Sequence, residues 1–346
     1  MEYIKDFMDR YEQLRKIFNE KRCFKLVCGA GNEDVEEVRR LSTIYTIAGT
    51  HVLDLSANVD VVNAAKRGIE IAYEKVPLLG KDIKIKPYLN VSIGIKGDPH
   101  VAKAKIDLEL CTECGECIKA CSKREAIKDD YIVNDSRCIG CGDCGKSCSF
   151  GAIEYYYKKA DFEKILPECV AAGTETMELH AITLDDEGVR NDWKLLNKLI
   201  PGNYVSMCLD RTLLSNKHLI ERVREAYSIT GERMIVQADG DPMSGSEDDF
   251  NTTLQTIACA DIVIKSEIPV MIFLSGGTNS KTGLLAKQCE VEAHGVAIGS
   301  YARKIVKKYV TNEEFDNNLD ILKEAVMVAE QLIRSNIEAI SGSTGD

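Results

Sequence analysis

Eight of the fourteen cysteines stand in two copies of one pattern. The first copy reads CTECGECIKAC and the second reads CIGCGDCGKSC, so both have the spacing C-x2-C-x2-C-x3-C. Bacterial ferredoxins use this spacing to bind [4Fe-4S] clusters, because three thiolates in a tight loop can wrap one corner of the cluster. The pattern therefore predicts iron–sulfur chemistry, in which single electrons are exchanged.

The fourth cysteine of each copy predicts how the two copies share their ligands. In two-cluster ferredoxins this cysteine binds the other cluster. We therefore predict two clusters with crossed ligand sets: Cys111, Cys114, Cys117 and Cys148 for the first, and Cys138, Cys141, Cys144 and Cys121 for the second. Two zinc ribbons, which need wider separation between their cysteine pairs, are the alternative. Ser122 and Ser149 follow the fourth cysteines, where ferredoxins usually carry proline.

The other six cysteines have no such spacing. They are Cys23, Cys28, Cys169, Cys208, Cys259 and Cys289. An isolated cysteine usually behaves as a small buried apolar residue, and we predict that role for them. A reactive thiol near a site is the alternative for Cys28 and Cys208.

Outside residues 99–158 the chain alternates short apolar segments with longer amphipathic ones. The predicted strands are CFKLVCG, HVLDLSA, YLNVSIG, TMELHA, YVSMCL, RMIVQAD, VMIFLSG and GVAIGS. An amphipathic segment of helical length follows each of them. Eight such units predict an α/β fold, a (β/α)8 TIM-like barrel, with a doubly wound open sheet as the alternative.

The cysteine repeats interrupt this barrel after its third predicted strand. We predict three parts: residues 1–98 with an N-terminal helix and strands 1–3, an inserted ferredoxin-like domain at 99–158, and residues 159–346 with strands 4–8. A connection from a strand to its following helix lies at the C-terminal face of a barrel, where active sites are built. The clusters are therefore expected beside the barrel mouth.

Glycines at the ends of the last two predicted strands indicate an anion site. Barrels commonly bind phosphate there through backbone amides and a helix N-terminus, although such glycines can also serve only a turn. The predicted site comprises Gly276, Gly277, Thr278, Asn279, Gly299, Ser300 and Arg303. Its predicted ligand is a flavin or another phosphate-bearing molecule.

Polar residues at the other strand ends are candidates for catalysis. His180 is the preferred acid or base, because its charge changes nearest to neutral pH, and Asp239 is the second catalytic candidate. Lys25, Asp54, Glu178 and Gln237 are further polar residues within or at the ends of predicted strands. Each of these six residues can instead serve only hydrogen bonds at the barrel top. The turn-rich segment QADGDPMSG at 237–245 is predicted to be a loop that closes over a ligand or simply joins two elements.

Charge and composition restrict the partners. The chain has 44 Lys and Arg against 55 Asp and Glu, a net charge of −11 that disfavours binding to nucleic acid. It has neither a signal-like start nor an apolar run long enough to span a membrane. We expect a cytoplasmic protein whose partner is a redox protein or a small electron carrier, with a small anionic ligand as a further candidate.

Several phrases around the cysteine motifs resemble a known family. They are FKLVCGAG, AGTHVLDLSA, IVQADGDPMSG, LSGGTN and GVAIGSYAR. In this order, and with the two motifs, they resemble the LdpA (light-dependent period) family of cyanobacteria along almost the entire chain. The resemblance implies an iron–sulfur protein that senses cellular redox state and passes that information to the circadian clock.

Three functions are compatible with these features. The first is a redox protein whose two clusters transfer single electrons or sense redox state beside a ligand site in the barrel. The alternative is an oxidoreductase that uses a flavin or a phosphate-bearing ligand at the mouth and is fed by the clusters. The third is an electron-carrying adaptor in which the barrel only docks a partner. Whether the chain is an enzyme stays open at this point.

Overall fold

The computed structural model describes residues 2–94, 102–121, 125–138, 140–157, 161–240 and 247–342. The described residues form ten strands: β1 (Cys23–Val27), β2 (Val52–Ser56), β3 (Tyr88–Gly94), β4 (Ala102–Ile106), β5 (Ile153–Tyr157), β6 (Thr176–His180), β7 (Val205–Leu209), β8 (Met234–Asp239), β9 (Met271–Ser275) and β10 (Gly295–Ile298). β4 and β5 pair separately from the others.

The other eight of these strands close into a parallel barrel. Their order around the barrel is β1, β2, β3, β6, β7, β8, β9 and β10, which pairs again with β1. All eight strands predicted from the sequence are present, and the closed order rules out the open-sheet alternative. The register places Asn90 opposite Asp54, Ser92 opposite Glu178, and Glu178 opposite Ser206. Polar side chains of adjacent strands therefore stand opposite one another.

The same residues form twelve α-helices: α1 (Glu2–Asn19), α2 (Val35–Ala48), α3 (Val59–Lys75), α4 (Glu116–Ala120), α5 (Asp143–Ser147), α6 (Phe162–Ala172), α7 (Asp186–Leu199), α8 (Asn216–Thr230), α9 (Leu254–Ile264), α10 (Thr282–Gln288), α11 (Ser300–Val310) and α12 (Leu319–Ser341). Short 3-10 helices occupy Val76–Leu79, Gly231–Arg233 and Asn251–Thr253. Asp34, Asn58 and Ser215 cap the N-termini of α2, α3 and α8, because each side chain accepts a hydrogen bond from a backbone N–H of the first turn.

The helix α1 covers the N-terminal end of the barrel. Leu14, Ile17 and Phe18 are buried against residues near the beginnings of the strands, including Tyr88 and Phe273. The rings of Phe18 and Phe273 pack edge to face, with their centroids 5.4 Å apart. Because this end is filled with apolar side chains, the opposite end is the one available for a site.

The insertion is a small unit between β3 and α6. Its strands β4 and β5 run antiparallel, with Ala102 opposite Tyr157 and Ile106 opposite Ile153. The helices α4 and α5 each lie inside one cysteine motif. The predicted domain boundaries at 98–99 and 158–159 lie outside the described residues, so those boundaries stay predictions.

Candidate functional site

Two cavities lie in the insertion, and four cysteines line each of them. One is lined by Cys111, Cys114, Cys117 and Cys148. The other is lined by Cys121, Cys138, Cys141 and Cys144. Each set takes three cysteines from one motif and the fourth from the other motif. This is the grouping of the crossed arrangement, and the binding of clusters in it stays a prediction.

The surroundings of these thiols suit an iron–sulfur cluster. Ile106, Ala152 and Ile153 face the first cavity, while Ala104 and Ile127 face the second. Burial raises the pKa of Cys141 to about 11 and also raises the pKa of Cys117. Thiols whose pKa is raised in this way stay protonated until a bound metal ion displaces the proton.

Backbone amides and one hydroxyl group lie within hydrogen-bond distance of three of the cysteine sulfur atoms. The amide of Ala104 donates to Cys138 Sγ at 3.3 Å, and the amide of Glu113 donates to Cys111 Sγ at 3.4 Å. The Tyr155 hydroxyl lies 3.2 Å from Cys144 Sγ. Hydrogen bonds to sulfur are one of the means by which proteins set cluster potentials.

One glycine in each motif lets the loop wrap around its cavity. Gly115 has φ 78 and Gly142 has φ 84, and each is the residue immediately before a short helix, α4 or α5. This left-handed conformation costs glycine little, because it has no Cβ. The equivalent glycines therefore explain why both loops turn in the same way.

The second cavity is fastened to the barrel through Lys103. Its Nζ donates to three backbone carbonyls, those of Gly31, Asp135 and Cys138, each at 2.7 Å. Nearby, Arg137 Nε lies 3.3 Å from Asp34 Oδ2 at the start of α2. One buried ammonium therefore joins the loop after β1 to the backbone of a predicted cluster ligand.

A pocket opens at the C-terminal end of the barrel, on the side predicted for the site. It holds about 90 Å³ of space for water-sized groups, several times the roughly 10–15 Å³ that one water needs. Most of the predicted residues line it: His180, Asp239, Gly276, Gly277, Thr278, Gly299, Ser300 and Arg303. The structure thus brings together segments that are far apart in the sequence.

Asn279 is the predicted site residue that does not line this pocket. Its side-chain amide is buried and donates to the carbonyls of Glu247 and Asp249 and to Thr252 Oγ1. Its own carbonyl accepts from Asn336 Nδ2 at 3.2 Å. Asn279 therefore joins loops behind the pocket, and its polar groups are used for structure.

The floor of the pocket carries a buried ion network. Lys25 Nζ bonds Glu178 Oε2, lies 3.7 Å from Asp54 Oδ2, and lies 3.3 Å from Gln237 Oε1. Burial alone would raise the pKa of Glu178, but Lys25 and His180 outweigh it and lower that pKa to about 2. Burial raises the pKa of Asp54 despite the attraction of Lys25. Glu178 is therefore the more firmly ionised of the two carboxylates.

Two further side-chain pairs stand above this network. His180 Nε2 lies 3.1 Å from Glu178 Oε1, and Cys208 Sγ donates to Asp239 Oδ2 at 3.0 Å. All four side chains are buried. The two catalytic candidates, His180 and Asp239, thus share one pocket wall with the thiol of Cys208. The sequence predicted a buried apolar role for this cysteine, with a reactive thiol as the alternative.

The rim is built from glycines and the start of α11. Gly276 has φ 66, and a Cβ on it would lie 1.6 Å from Asp239 Oδ1, so the position excludes any side chain. Gly299 is the residue immediately before α11. Arg303 Nη1 donates to the carbonyls of Val27 and Cys28 at 2.8 and 2.9 Å. This arginine therefore holds the end of β1 at the rim.

Some features were not found from the sequence. Gly29, Ala30 and Gly31, directly after β1, line the same pocket, and glycines at a strand end are the signal that could have indicated them. Cys289 is exposed, so the prediction of a buried role is wrong for it. Five of the residues in the predicted closing loop, 241–245, lie outside the described residues, as does Ser122. Among the described helices, none has the length and apolarity needed to cross a membrane.

Two known protein families match separate segments of the chain. The family described as Light dependent period A C-terminal domain matches residues 168–335. The family described as 4Fe-4S binding domain matches residues 131–154, which contain the second cysteine motif.

One relative that matches nearly the whole chain agrees with these family matches. The protein Light dependent period A of Synechococcus elongatus (strain ATCC 33912 / PCC 7942 / FACHB-805) is 29% identical over 335 residues, which are 93% of this chain and 93% of that protein. Among solved structures, the YdjI aldolase from Escherichia coli K12 has a TM-score of 0.45 at 10% identity, covering 95% of this chain and 93% of that one. A truncated 3-deoxy-D-arabino-heptulosonate 7-phosphate synthase from Thermotoga maritima has 0.41 at 13%, covering 88% and 84%. One relative matches over 93% of both chains and the two family descriptions match separate segments of this chain, and together these findings support an iron–sulfur protein of the LdpA family.

Proposed function

We propose that this protein holds two [4Fe-4S] clusters and uses them for one-electron transfer or redox sensing beside a ligand site in the barrel. The observation that carries the proposal is the grouping of eight thiols into two separate four-cysteine cavities. Bound clusters would supply reversible one-electron chemistry there. The relative's name speaks of a light-dependent period, and that is said of the relative.

Residues of this chain give the two cavities different environments. Lys103 places a positive charge against the Cys138 carbonyl of the second cavity. The same ammonium binds the Gly31 carbonyl, and Gly31 lines the barrel pocket. Among the described residues, Lys103 therefore connects the backbone of the second cavity to the lining of the barrel pocket, and through this contact the charge of a cluster in that cavity would act on the pocket.

The first cavity faces outward and suits a redox partner. Cys114 beside it is exposed, and so are Leu108, Leu110 and Phe150. The neighbouring residues Asp107, Glu109, Glu113 and Glu116 supply negative charge. Such a surface favours a partner protein or carrier with an apolar centre and a basic rim, because complementary charge steers association.

Anaerobic reconstitution tests the cluster proposal. We expect about eight iron and eight sulfide per chain, as for two cubane clusters. The variant Cys148→Ala should lose the cluster of Cys111, Cys114 and Cys117, whereas Cys121→Ala should lose the other. Electron paramagnetic resonance of the reduced protein distinguishes the two. Cys169→Ala, a buried cysteine of α6, is the matched control and should keep both.

Two outcomes would overturn the proposal. Binding of two zinc ions with no sulfide would favour zinc ribbons. Loss from Cys148→Ala of only the cluster held by Cys138, Cys141 and Cys144 would contradict the crossed ligand sets.

A second candidate function is binding of a small anionic ligand at the barrel mouth. It is supported by the pocket that joins Gly276, Gly277 and Gly299 to His180 and Asp239. Calorimetry with flavin mononucleotide, nucleotides and sugar phosphates tests it. Gly277→Asp should abolish binding and leave the iron content unchanged, because it adds a negative charge at the rim. No binding across this panel would leave the electron-carrying adaptor as the better description.

A further inference from the structure

Three chemically different side chains converge on the pocket wall formed by β6 and β7. Glu178 and His180 are two residues apart on β6, and Cys208 lies opposite His180 on β7. A carboxylate oxygen, an imidazole nitrogen and the Cys208 sulfur all lie within 4.8 Å of one another. Metal–ligand bonds of about 2.0–2.3 Å would place tetrahedral ligand atoms about 3.3–3.6 Å apart. Shifts of under an ångström in each side chain would therefore close a coordination shell.

The supporting residues already orient these groups. Lys25 Nζ and Ser206 Oγ both bind Glu178 Oε2, so Oε1 is the oxygen directed at His180. Cys208 Sγ points to Asp239 Oδ2 at 3.0 Å. Outer hydrogen bonds of this kind orient the ligands in metal sites.

The charge of the pocket favours a cation. Among the described lining residues, the carboxylates are Asp54, Glu178 and Asp239. Lys25 contacts the first two, and Arg303 is the cationic residue in the lining. Buried carboxylates are costly unless they are paired or coordinate metal. A divalent ion would oppose this excess of negative charge.

We propose that Glu178 Oε1, His180 Nε2 and Cys208 Sγ bind one divalent transition-metal ion of the zinc type. Sulfur and imidazole ligands favour such an ion over magnesium or calcium. On binding, Cys208 loses its thiol proton to Asp239, which already accepts the hydrogen bond, and the proton passes from there to water. Three protein ligands leave a fourth position open toward the pocket, as in catalytic zinc sites.

This site is independent of the iron–sulfur proposal, since it shares no cysteine with either cavity. It would also give an anionic ligand at the rim glycines a cation to face, although the metal binds without that ligand. Its test therefore needs metal analysis alone.

Metal analysis of the full-length protein with its iron–sulfur centres provides the test. After incubation with Zn²⁺ and removal of free ions, we expect about one zinc per chain. His180→Ala and Cys208→Ala should each reduce this at least tenfold with iron unchanged. Cys259→Ala is the matched control, because its buried thiol bonds the Leu209 carbonyl at 3.5 Å outside the three-residue set. The control should keep the zinc.

X-ray absorption at the zinc edge of the wild-type protein keeps the test decisive if a variant fails to fold. We expect one sulfur at about 2.3 Å and nitrogen or oxygen ligands at about 2.0–2.2 Å. A shell of sulfur atoms only would mean that zinc occupies the cysteine motifs and would overturn the proposal. Failure of the wild-type protein to retain zinc, or full retention by folded His180→Ala, would also overturn it.

Discussion

The predicted ligands of the insertion lie between residues 111 and 148, whereas the lining of the barrel pocket comes from residues between Val27 and Arg303. The insertion has a small core in which three of the seven buried members are cysteines, namely Cys117, Cys138 and Cys144. The barrel instead has a large continuous core. A cluster bound in the insertion would add to the stability of its small core, because metal binding supplies folding free energy. The arrangement of the barrel pocket depends instead on the packed scaffold of the barrel.

The largest expected effect concerns the charge network of the barrel. Lys25→Met should lower the free energy of unfolding by about 3–5 kcal/mol, because Glu178 and Asp54 lose their buried cation. Denaturant unfolding followed by circular dichroism measures it. The exposed Lys66, which bonds the Ala172 carbonyl, is the control, and Lys66→Met should change stability by about 0.5 kcal/mol or less. An unchanged midpoint for Lys25→Met would show that the network contributes little.

Acid should destabilise the barrel through His51. Its Nδ1 accepts the amide of Phe24 at 3.2 Å, and burial, assisted by Arg22, lowers its pKa from 6.5 to about 4. Between pH 6.5 and about 4 the folded barrel holds His51 neutral, whereas the unfolded chain protonates it. The contribution of His51 to the free energy of unfolding is therefore complete above pH 6.5 and is lost as the pH falls toward 4. The loss should reach about 3 kcal/mol. His51→Asn keeps an acceptor but cannot titrate, and its stability should vary less over this pH range; an equal slope would exclude His51 as the cause.

The junction between the two regions should respond to Lys103. Lys103→Met removes three hydrogen bonds to buried or partly buried carbonyls, and we expect a loss of about 1–3 kcal/mol. Hydrogen exchange should increase around Gly31 and Ser136. The midpoint potential of the second cluster should fall relative to the first, because a nearby positive charge favours the reduced cluster. Lys105→Met, on the exposed side of β4, is the control; equal shifts in both variants would contradict a specific role for Lys103.

The smallest effect concerns the residue after the second motif. Cys148 has φ −88 and ψ 105, an extended conformation that suits a residue before proline. Ser149→Pro should therefore be accepted with unchanged iron content and should stabilise the insertion by about 0.4–1 kcal/mol through the unfolded state. Thermal loss of cluster absorbance measures it. Loss of iron from this variant would show that the serine amide is needed near the sulfur atoms.

The strands of the barrel could be predicted because each is a short apolar segment bounded by polar residues or glycine. The location of the pocket followed from the order of the elements, since every strand-to-helix loop of a barrel opens at one end. The contacts within the pocket did not follow. Asn279 had the residue type and position of a ligand-binding group, but its bonds to the carbonyls of Glu247 and Asp249 turn it away.

The sequence by itself determined the cysteine spacing, the eight strand segments and the place of the insertion, because these depend on local patterns of residue type. Only the tertiary structure decided that Lys25 contacts Glu178, that Cys208 meets Asp239, and that Lys103 joins the insertion to the barrel. These partners are 153, 31 and 72 residues apart. Whether they meet depends on strand register and barrel closure, since a shift of one residue would turn each side chain to the opposite face of its strand.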